Sequence, residues 1–294
     1  MVVVQDIAGV RDLCSAARAD GKRVAVVPTM GALHEGHLVL VDRARSKGQF
    51  VVVTIFVNPT QFGPGEDLSR YPRDLEGDVA KLEQRGVDLV FTPNVGDMYP
   101  NGHATTVHVS GLTEHLCGAQ RPSHFDGVAL IVAKLLNIVG PSTAVFGRKD
   151  YQQLRVIRRM VRDLDMPIEV LGVPTVRDAD GLAKSSRNAY LGPKERERAL
   201  AISRGLTAAH YAFGSGERRV DELLGAVEAF VKVSADAIDY VTAADPETLE
   251  PLPRHAICSE RLLLAVAARF AGTRLIDNTV IGEDSPPLAR ESRR

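Results

Sequence analysis

The chain reads as an α/β protein in which a doubly wound, Rossmann-like parallel-sheet domain is followed by a smaller C-terminal α+β domain. Three observations predict this. Short apolar, β-branched runs alternate with helical periodicity through the first two thirds of the chain. Near residue 176 the alternation gives way to polar, turn-rich sequence and then to alanine-rich helical stretches. The length, 294 residues, exceeds what one hydrophobic core usually organises. Strands and helices in alternation imply parallel strands with helices on both faces.

The expected strands, in order, are VAVVPT (24–29), VVVTIFV (51–57), VDLVFT (87–92), TAVFG (143–147) and IEVLGVPT (168–175). Each is a short, nearly continuous apolar run, the pattern of a strand covered on both faces. The clearest helix between them carries Val128, Ile131, Val132, Leu135, Leu136 and Val139 at steps of three and four, one apolar face. After the polar stretch VRDADGLAKSSRNAYLGP, helices are expected over 193–212 and 219–236, with Pro193 suited to a first turn. AIDYVTA (237–243) and RLLLAVAARFAGTRLIDN (261–278) supply the strands of the smaller unit. The expected domains are therefore 1–175 and 176–294, with a disordered tail from about residue 284, where two prolines and little apolar sequence occur.

Bulk composition narrows the function classes. Apolar residues at 45% and charged residues at 25% suit a folded soluble enzyme. Lysine plus arginine (36) nearly balance aspartate plus glutamate (37), so no global field attracts nucleic acid or an anionic membrane, and any anion site is local. Arg155, Arg158, Arg159 and Arg162 share a helix face, which in a nearly neutral chain reads as solvated or dimer-contacting rather than RNA-binding. Cys14, Cys117 and Cys258 are too far apart and odd in number for a disulfide framework or a C-x-x-C site, which points to a reducing cytoplasm. No export signal or membrane-spanning run is expected.

Chemistry concentrates where strands should end. PTMGALHEGH (28–37) follows the first expected strand, with Gly31 permitting a tight turn and a helix expected to begin near His34. A helix start there offers free N–H groups and a dipole to an anion, and His34 and His37, three apart, would share a face. The same pair could instead merely cap the helix. A zinc site is disfavoured, because H-E-x-x-H would require histidine at position 38, which is Leu38. Neither of the standard glycine-rich phosphate loops, G-x-x-x-x-G-K-[ST] or G-x-G-x-x-G, occurs. In DGLAKSSRNAYL, Lys184, Ser185, Ser186 and Arg187 form a dense donor set suited to polyphosphate oxygens, or else a solvated loop. GRKDYQQL (147–154) carries Lys149 and Asp150 toward a helix bearing Gln153. Three such signals at strand carboxyl ends reinforce one another, since ligands of open α/β sheets bind there.

PTMGALHEGH resembles the HIGH motif, and KSSR the KMSKS loop, of nucleotidyltransferases and class I aminoacyl-tRNA synthetases. Together with IFVNPTQFGPGEDLSRYPR (55–73), RPSHFDGV (121–128), FGRKDYQQL and DGLAKSSRNAYL in this order, the chain is similar to the pantothenate synthetases, the pantoate:beta-alanine ligases. The resemblance implies ATP-dependent condensation of pantoate with beta-alanine through an enzyme-bound pantoyl adenylate, releasing AMP and pyrophosphate. The alternative is another HIGH-type nucleotidyltransferase.

It further implies that Met30, Gly31, Ala32, Leu33, His34, Glu35, Gly36 and His37 line the ATP site, with His34 and His37 on the phosphates. His37, His34 and Lys149 would be the catalytic residues, His37 being the family's assigned proton donor. Gly147, Arg148, Lys149 and Asp150, Val176, and Lys184 to Arg187 would complete ATP binding, Lys149 facing the transferring phosphate. Gln61 would contact pantoate and beta-alanine, and Gln153 pantoate; Asn58 and Tyr71 fall in the matched segments. Arg148 and Lys184 stand where the family commonly has glutamate and methionine. Asp78 aligns with an acidic magnesium contact, although its neighbours Gly77 and Lys81 are poor ligands, so Mg2+ is expected mainly on ATP oxygens. A cytoplasmic homodimer with the smaller domain as a lid, binding neither nucleic acid nor membrane, completes the expectation.

Overall fold

A computed structural model describes residues 1–288. The tail expectation falls partly on 289–294, which lie outside the described residues. In chain order the elements are β1 (Val2–Val4), α1 (Ile7–Ala19), β2 (Val24–Thr29), α2 (Glu35–Arg45), β3 (Phe50–Ile55), α3 (Leu75–Gln84), β4 (Leu89–Phe91), α4 (Val95–Met98), α5 (Leu116–Gln120), α6 (His124–Val139), β5 (Ser142–Gly147), α7 (Tyr151–Asp163), β6 (Ile168–Val173), α8 (Pro193–Gly214), α9 (Val220–Ser234), β7 (Ala237–Ala244), β8 (Leu262–Phe270) and β9 (Thr273–Ile281). One-turn 3-10 helices at Pro59–Gln61, Arg148–Asp150 and Ser186–Tyr190 carry site residues.

Six strands form one parallel sheet in the order β1-β4-β3-β2-β5-β6, and three form an antiparallel sheet, β7-β8-β9. The expected class, a doubly wound α/β sheet with a smaller α+β unit, is the observed one. The five expected strands of the first part are β2 to β6. β1 and α1 were not foreseen: β1 has only three residues, and α1 is set by Asp6, whose carboxylate accepts the Gly9 N–H at 2.7 Å. The long run 261–278 folds as a hairpin, with Ala271 (φ 47°) and Gly272 (φ 79°) turning the chain in left-handed conformations.

Contacts divide the chain into two compact units, the first comprising 1–110, 121–148 and 153–173, the second 111–120, 149–152 and 174 onward. Sequence texture marks one change near 176; two short excursions of ten and four residues carry no compositional sign.

In the first unit, the chain winds from β2 through β3 to β4 on one side and then returns to lay β5 on the other side of β2. The winding therefore reverses between β2 and β5, and loops leaving those two strands flank the crevice where such sheets bind ligands. β2 is buried almost throughout, and Ala25, Val27, Val51, Val53, Val90 and Val145 form a continuous core with Leu40 and Val41 of α2.

The turn after β2 is built around a buried carboxylate. Gly31 (φ 80°) and Ala32 (φ 51°) are left-handed, and a Cβ on Gly31 would meet Asp78 Oδ2 and Ile55 Cγ2, each at 3.0 Å. Asp78 of α3, 1% exposed, accepts the N–H of Ala32 through Oδ2 and that of Leu33 through Oδ1, both at 2.7 Å. Lys81 sits 3.6 Å from the same carboxylate and donates to the Leu33 carbonyl at 2.9 Å. Asp78, expected as a magnesium contact, accepts a backbone donor on each oxygen with an ammonium beside it, and so anchors the loop.

In the second unit, α8 and α9 pack on the antiparallel sheet through Leu206, Leu223, Val227, Leu264 and Phe270. His210 of α8 shares a 2.6 Å hydrogen bond with Thr279 Oγ1 of β9. Burial and then the charge of Arg177 push its pKa down to about 4.

Two stability outcomes follow from these contacts. Asp78→Ala leaves two N–H groups without their acceptor and is expected to cost about 3 kcal/mol, given ~1.5–3 kcal/mol for a hydrogen bond to a charged group, read from urea denaturation. His210 remains neutral when folded at pH values where the unfolded chain protonates it, so its contribution is present above about pH 6.5 and is lost as pH falls toward 4. His210→Gln should flatten the fall in denaturation midpoint across that window relative to the parent protein.

Candidate active site

The α2 start is an interlocked cap. His34 is the N-cap residue, with extended backbone (φ −124°, ψ 175°), and its Nδ1 accepts the Gly36 N–H at 3.1 Å. His37, at the third helical position, reaches back so that its Nδ1 accepts the His34 N–H at 3.4 Å. The two rings lie 4.1 Å apart between centroids, tilted by 31°. An imidazole that accepts at Nδ1 carries its proton on Nε2 when neutral. Capping therefore fixes the tautomer of both rings and makes each Nε2–H a donor at the positive end of α2. Capping and anion binding, alternatives in the sequence, are compatible in one geometry.

Beside this cap, Gln61 ends the 3-10 turn that follows β3. Its Oε1 accepts from Asn58 Nδ2 at 3.0 Å, and its Nε2 donates to Met30 Sδ at 3.2 Å. Asn58, 1% exposed, also donates to the Gly127 carbonyl at 3.1 Å and accepts from Tyr99 OH at 2.7 Å and Thr60 Oγ1 at 3.0 Å. Burial raises the Tyr99 pKa, with the Thr60 hydrogen bond opposing, so the phenol remains a donor at neutral pH. The network orients the Gln61 amide with its NH2 toward Met30. Gly127 is required where α6 meets this turn, because a Cβ there would strike the Thr60 carbonyl.

At the end of β5, Gly147 and Arg148 are half-buried, and the Arg148 stem lies over Gly172 of β6, whose Cβ position is 3.3 Å from Arg148 Cγ. Gln153, in the first turn of α7, is half-buried. Its neighbour Gln152 is structural: buried in the second unit, it accepts from Cys117 N–H at 3.0 Å and donates to the carbonyls of Leu112 and His115 at 2.8 and 2.7 Å.

Within the second unit, Lys149 has a side chain 19% exposed and 3.8 Å from Asp150, while its carbonyl accepts from Asn278 Nδ2 at 2.6 Å. Val176 and Lys184 are joined across a turn, the Lys184 N–H donating to the Val176 carbonyl at 2.9 Å. Lys184 pairs with Asp178, which also receives Arg196 at 3.0 Å. Burial raises the Asp178 pKa, but Lys184 and Arg196 outweigh it and hold the carboxyl below its usual range. Lys184 is thus already matched with a carboxylate. Ser185 Oγ accepts the Arg187 N–H at 3.3 Å, and Asn188 Nδ2 ties to the Ala183 carbonyl at 3.0 Å, so Ser185, Ser186 and Arg187 are presented from a braced turn.

The structure thus joins Met30, His34, His37 and Gln61 in one unit, and Val176 with Lys184 to Arg187 in the other. Sequence reasoning passed over Tyr99 and the pair Glu66 and Arg121. Arg121 grips Glu66 with two hydrogen bonds, Nε to Oε1 at 2.7 Å and NH2 to Oε2 at 2.6 Å. Burial raises the Glu66 pKa, but its Arg121 hydrogen bonds, the Arg121 charge and the Gly63 N–H bring it below the ordinary value. Arg121 and His124 lie in the matched segment RPSHFDGV and Glu66 in the matched segment IFVNPTQFGPGEDLSRYPR; that the two segments meet at this pair, 55 residues apart, carried no sign in the sequence.

Comparison with known proteins places the chain in a family. The profile of the family described as Pantoate-beta-alanine ligase matches residues 2–280. A pantothenate synthetase of Geobacter sulfurreducens is 51% identical over 285 residues, covering 97% of this chain and 100% of the relative. One from Moorella thermoacetica is 52% identical over 282 residues, covering 96% and 99%. Among solved structures, pantoate-beta-alanine ligase (pantothenate synthetase) from Thermus thermophilus superposes with a TM-score of 0.90 at 49% identity, covering 98% of this chain and 100% of that one. The pantoate-beta-alanine ligase of Francisella tularensis, complexed with beta-gamma ATP and beta-alanine, gives 0.77 at 31% identity, covering 97% and 99%. With the histidine cap beyond β2 and the amide network beside it, these matches along nearly the whole length establish that the chain belongs to the pantoate-beta-alanine ligase family.

Proposed function

We propose that this chain condenses pantoate with beta-alanine in two chemical steps. A pantoate carboxylate oxygen attacks the α-phosphorus of ATP, a P–O bond forms as the α–β bridge breaks, and pyrophosphate leaves. The beta-alanine amine then attacks the carbonyl carbon of the adenylate, AMP leaves, and the nitrogen loses a proton. The observation that carries this reading is the tautomer-locked histidine pair at the start of α2, in a chain matched to the ligase family over 2–280.

The first step brings an anion against an anion, so preorganised donors must offset charge before bonds change. In this reading His34 and His37 do so with Nε2–H groups aimed by the cap, and Met30 to Gly36 supply the surrounding backbone. In this reading His37 acts mainly by stabilising charge, donating from Nε2 while its Nδ1 caps the helix. Lys149 neutralises the transferring phosphate, and Ser185, Ser186 and Arg187 the departing pyrophosphate, with Gly147, Arg148, Asp150, Val176 and Lys184 completing the nucleotide contacts. Gln61 and Gln153 hold the hydroxy acid through neutral amides, adding no charge.

Magnesium enters on the ATP oxygens: among the described residues no cluster of three or more His, Cys, Asp or Glu is placed to hold a metal, and Asp78 is committed to the loop. We also read the protein as a cytoplasmic homodimer. Its three cysteines are unpaired and buried, and no helix among the described residues is long and apolar enough to cross a membrane.

Following ATP with pantoate, with and without beta-alanine, tests the reaction: AMP should accumulate over many turnovers only when both substrates are present, and no ATP turnover under any combination would sink the reading. His37→Ala and Lys149→Ala should each lower kcat by roughly two to three orders of magnitude, the usual consequence of losing a transition-state donor. A loss below about fivefold in either variant would remove that residue from the mechanism.

A further inference from the structure

The amide side chain of Gln61 is oriented by Asn58 and Met30, but its main chain is held separately. The Gln61 carbonyl accepts two donors from the segment that opens α6, His124 Nδ1 at 2.7 Å and Arg121 NH2 at 3.2 Å. Arg121 NH1 also lies 2.9 Å from His124 Nε2. A guanidinium has no acceptor, so His124 Nε2 must accept, its proton resides on Nδ1, and that N–H is the one directed at Gln61. Arg121 thereby sets the tautomer of His124. Glu66 in turn holds Arg121 by both carboxylate oxygens, and its Oε2 also accepts the Gly63 N–H at 3.2 Å.

Glu66 stands five residues after Gln61 on the same loop, so the ion pair returns the loop to the base from which Gln61 projects. Arg121 and Glu66 are 17% and 27% exposed, sheltered enough for the geometry to persist, and the pair is bidentate, the form with fixed orientation. Between them lies Gly63-Pro64-Gly65, with Gly65 at φ 81°, a tip with few side-chain contacts of its own.

We propose that Glu66, Arg121 and His124 are positioning residues for the reaction, acting as a latch that fixes the main chain of Gln61 and so aims its amide at pantoate. This rests on the assignment of Gln61 as a substrate ligand. Arg121 does not itself take the substrate carboxylate, because its charge and four of its hydrogen bonds are committed to Glu66, His124 and Gln61. The latch belongs to the substrate side, and its loss separates pantoate from ATP.

Steady-state kinetics on the full chain test this with Gln61→Ala, Glu66→Gln, Arg121→Ala, His124→Ala and His124→Asn. Glu66→Gln, Arg121→Ala and His124→Ala should each raise KM for pantoate or lower kcat by roughly tenfold, the scale of one charge-assisted hydrogen bond, with KM for ATP changed less than about twofold. His124→Asn keeps an N–H near the Nδ1 position and should recover to within about threefold of the parent, which a purely space-filling role would not produce. If Gln61→Ala leaves the pantoate parameters unchanged, the substrate-ligand assignment itself fails. If Gln61→Ala is impaired but the Glu66, Arg121 and His124 variants keep parental pantoate kinetics, the latch is wrong. Tighter pantoate binding in Glu66→Gln would also overturn it, by showing that a released Arg121 takes the carboxylate directly. Equal losses for ATP and pantoate, with His124→Asn no better than His124→Ala, would assign the trio to stability alone.

Discussion

The candidate site depends on one buried carboxylate at the point where the sheet reverses its winding. After β2 the chain must leave the sheet, turn through two left-handed residues and enter α2 within five residues. Such a turn exposes backbone N–H groups that the sheet cannot satisfy, and buried donors without acceptors are costly. Asp78 resolves this from a separate element, α3, by accepting the Ala32 and Leu33 N–H groups together. Because both donors belong to adjacent residues, the two hydrogen bonds fix an orientation as well as a position. The entry angle of α2 and the direction of both histidine rings follow from it.

That constraint makes the histidine cap chemically useful. A serine or aspartate at the N-cap would satisfy the same orphan donors, but only an aromatic ring with a second nitrogen carries a donor away from the helix while its first nitrogen is accepting. His34 and His37 each use Nδ1 inward, which leaves the proton on Nε2 in the neutral state. The dipole of α2 adds partial positive charge at the same end. Local structure thus uses one nitrogen of each ring, and the proposed catalytic role draws on the other.

What the sequence disclosed follows from how strongly each feature is patterned. β2 and β3 were legible because strands covered on both faces are written as nearly unbroken apolar runs, and α6 because it is apolar on a wide face. β1 was not, since three valines with one half-buried and two exposed residues carry no period, and its assignment depends on pairing with the distant β4. PTMGALHEGH was conspicuous because a turn and a helix start lie within ten consecutive residues. The Asp78 anchor was not legible for the opposite reason: a lone carboxylate in a helix looks the same in sequence whether or not it faces a loop 46 residues earlier. The trio Glu66, Arg121 and His124 is likewise assembled by the fold, with only the last two adjacent in the chain.

The charges around these residues explain how a nearly neutral protein can carry an anion site. Lys184 and Arg196 are matched by Asp178, and Arg121 by Glu66, so several cations in the motif-bearing segments serve internal structure. An unmatched cationic cleft would attract any polyanion, including nucleic acid, and would lose much of that attraction as salt rises. Donors fixed by a helix cap and by buried amides act differently: their strength depends on direction, and an anion gains from them only if its oxygens fall at the right points. Lys149, 19% exposed and 3.8 Å from Asp150, is loosely paired by comparison, leaving its ammonium able to respond to a phosphate at small structural cost. In the proposed function, selectivity for a nucleotide and a small hydroxy acid would then come from geometry held by Asp78, Asn58 and the caps, with mobile charge reserved for the step at which charge moves.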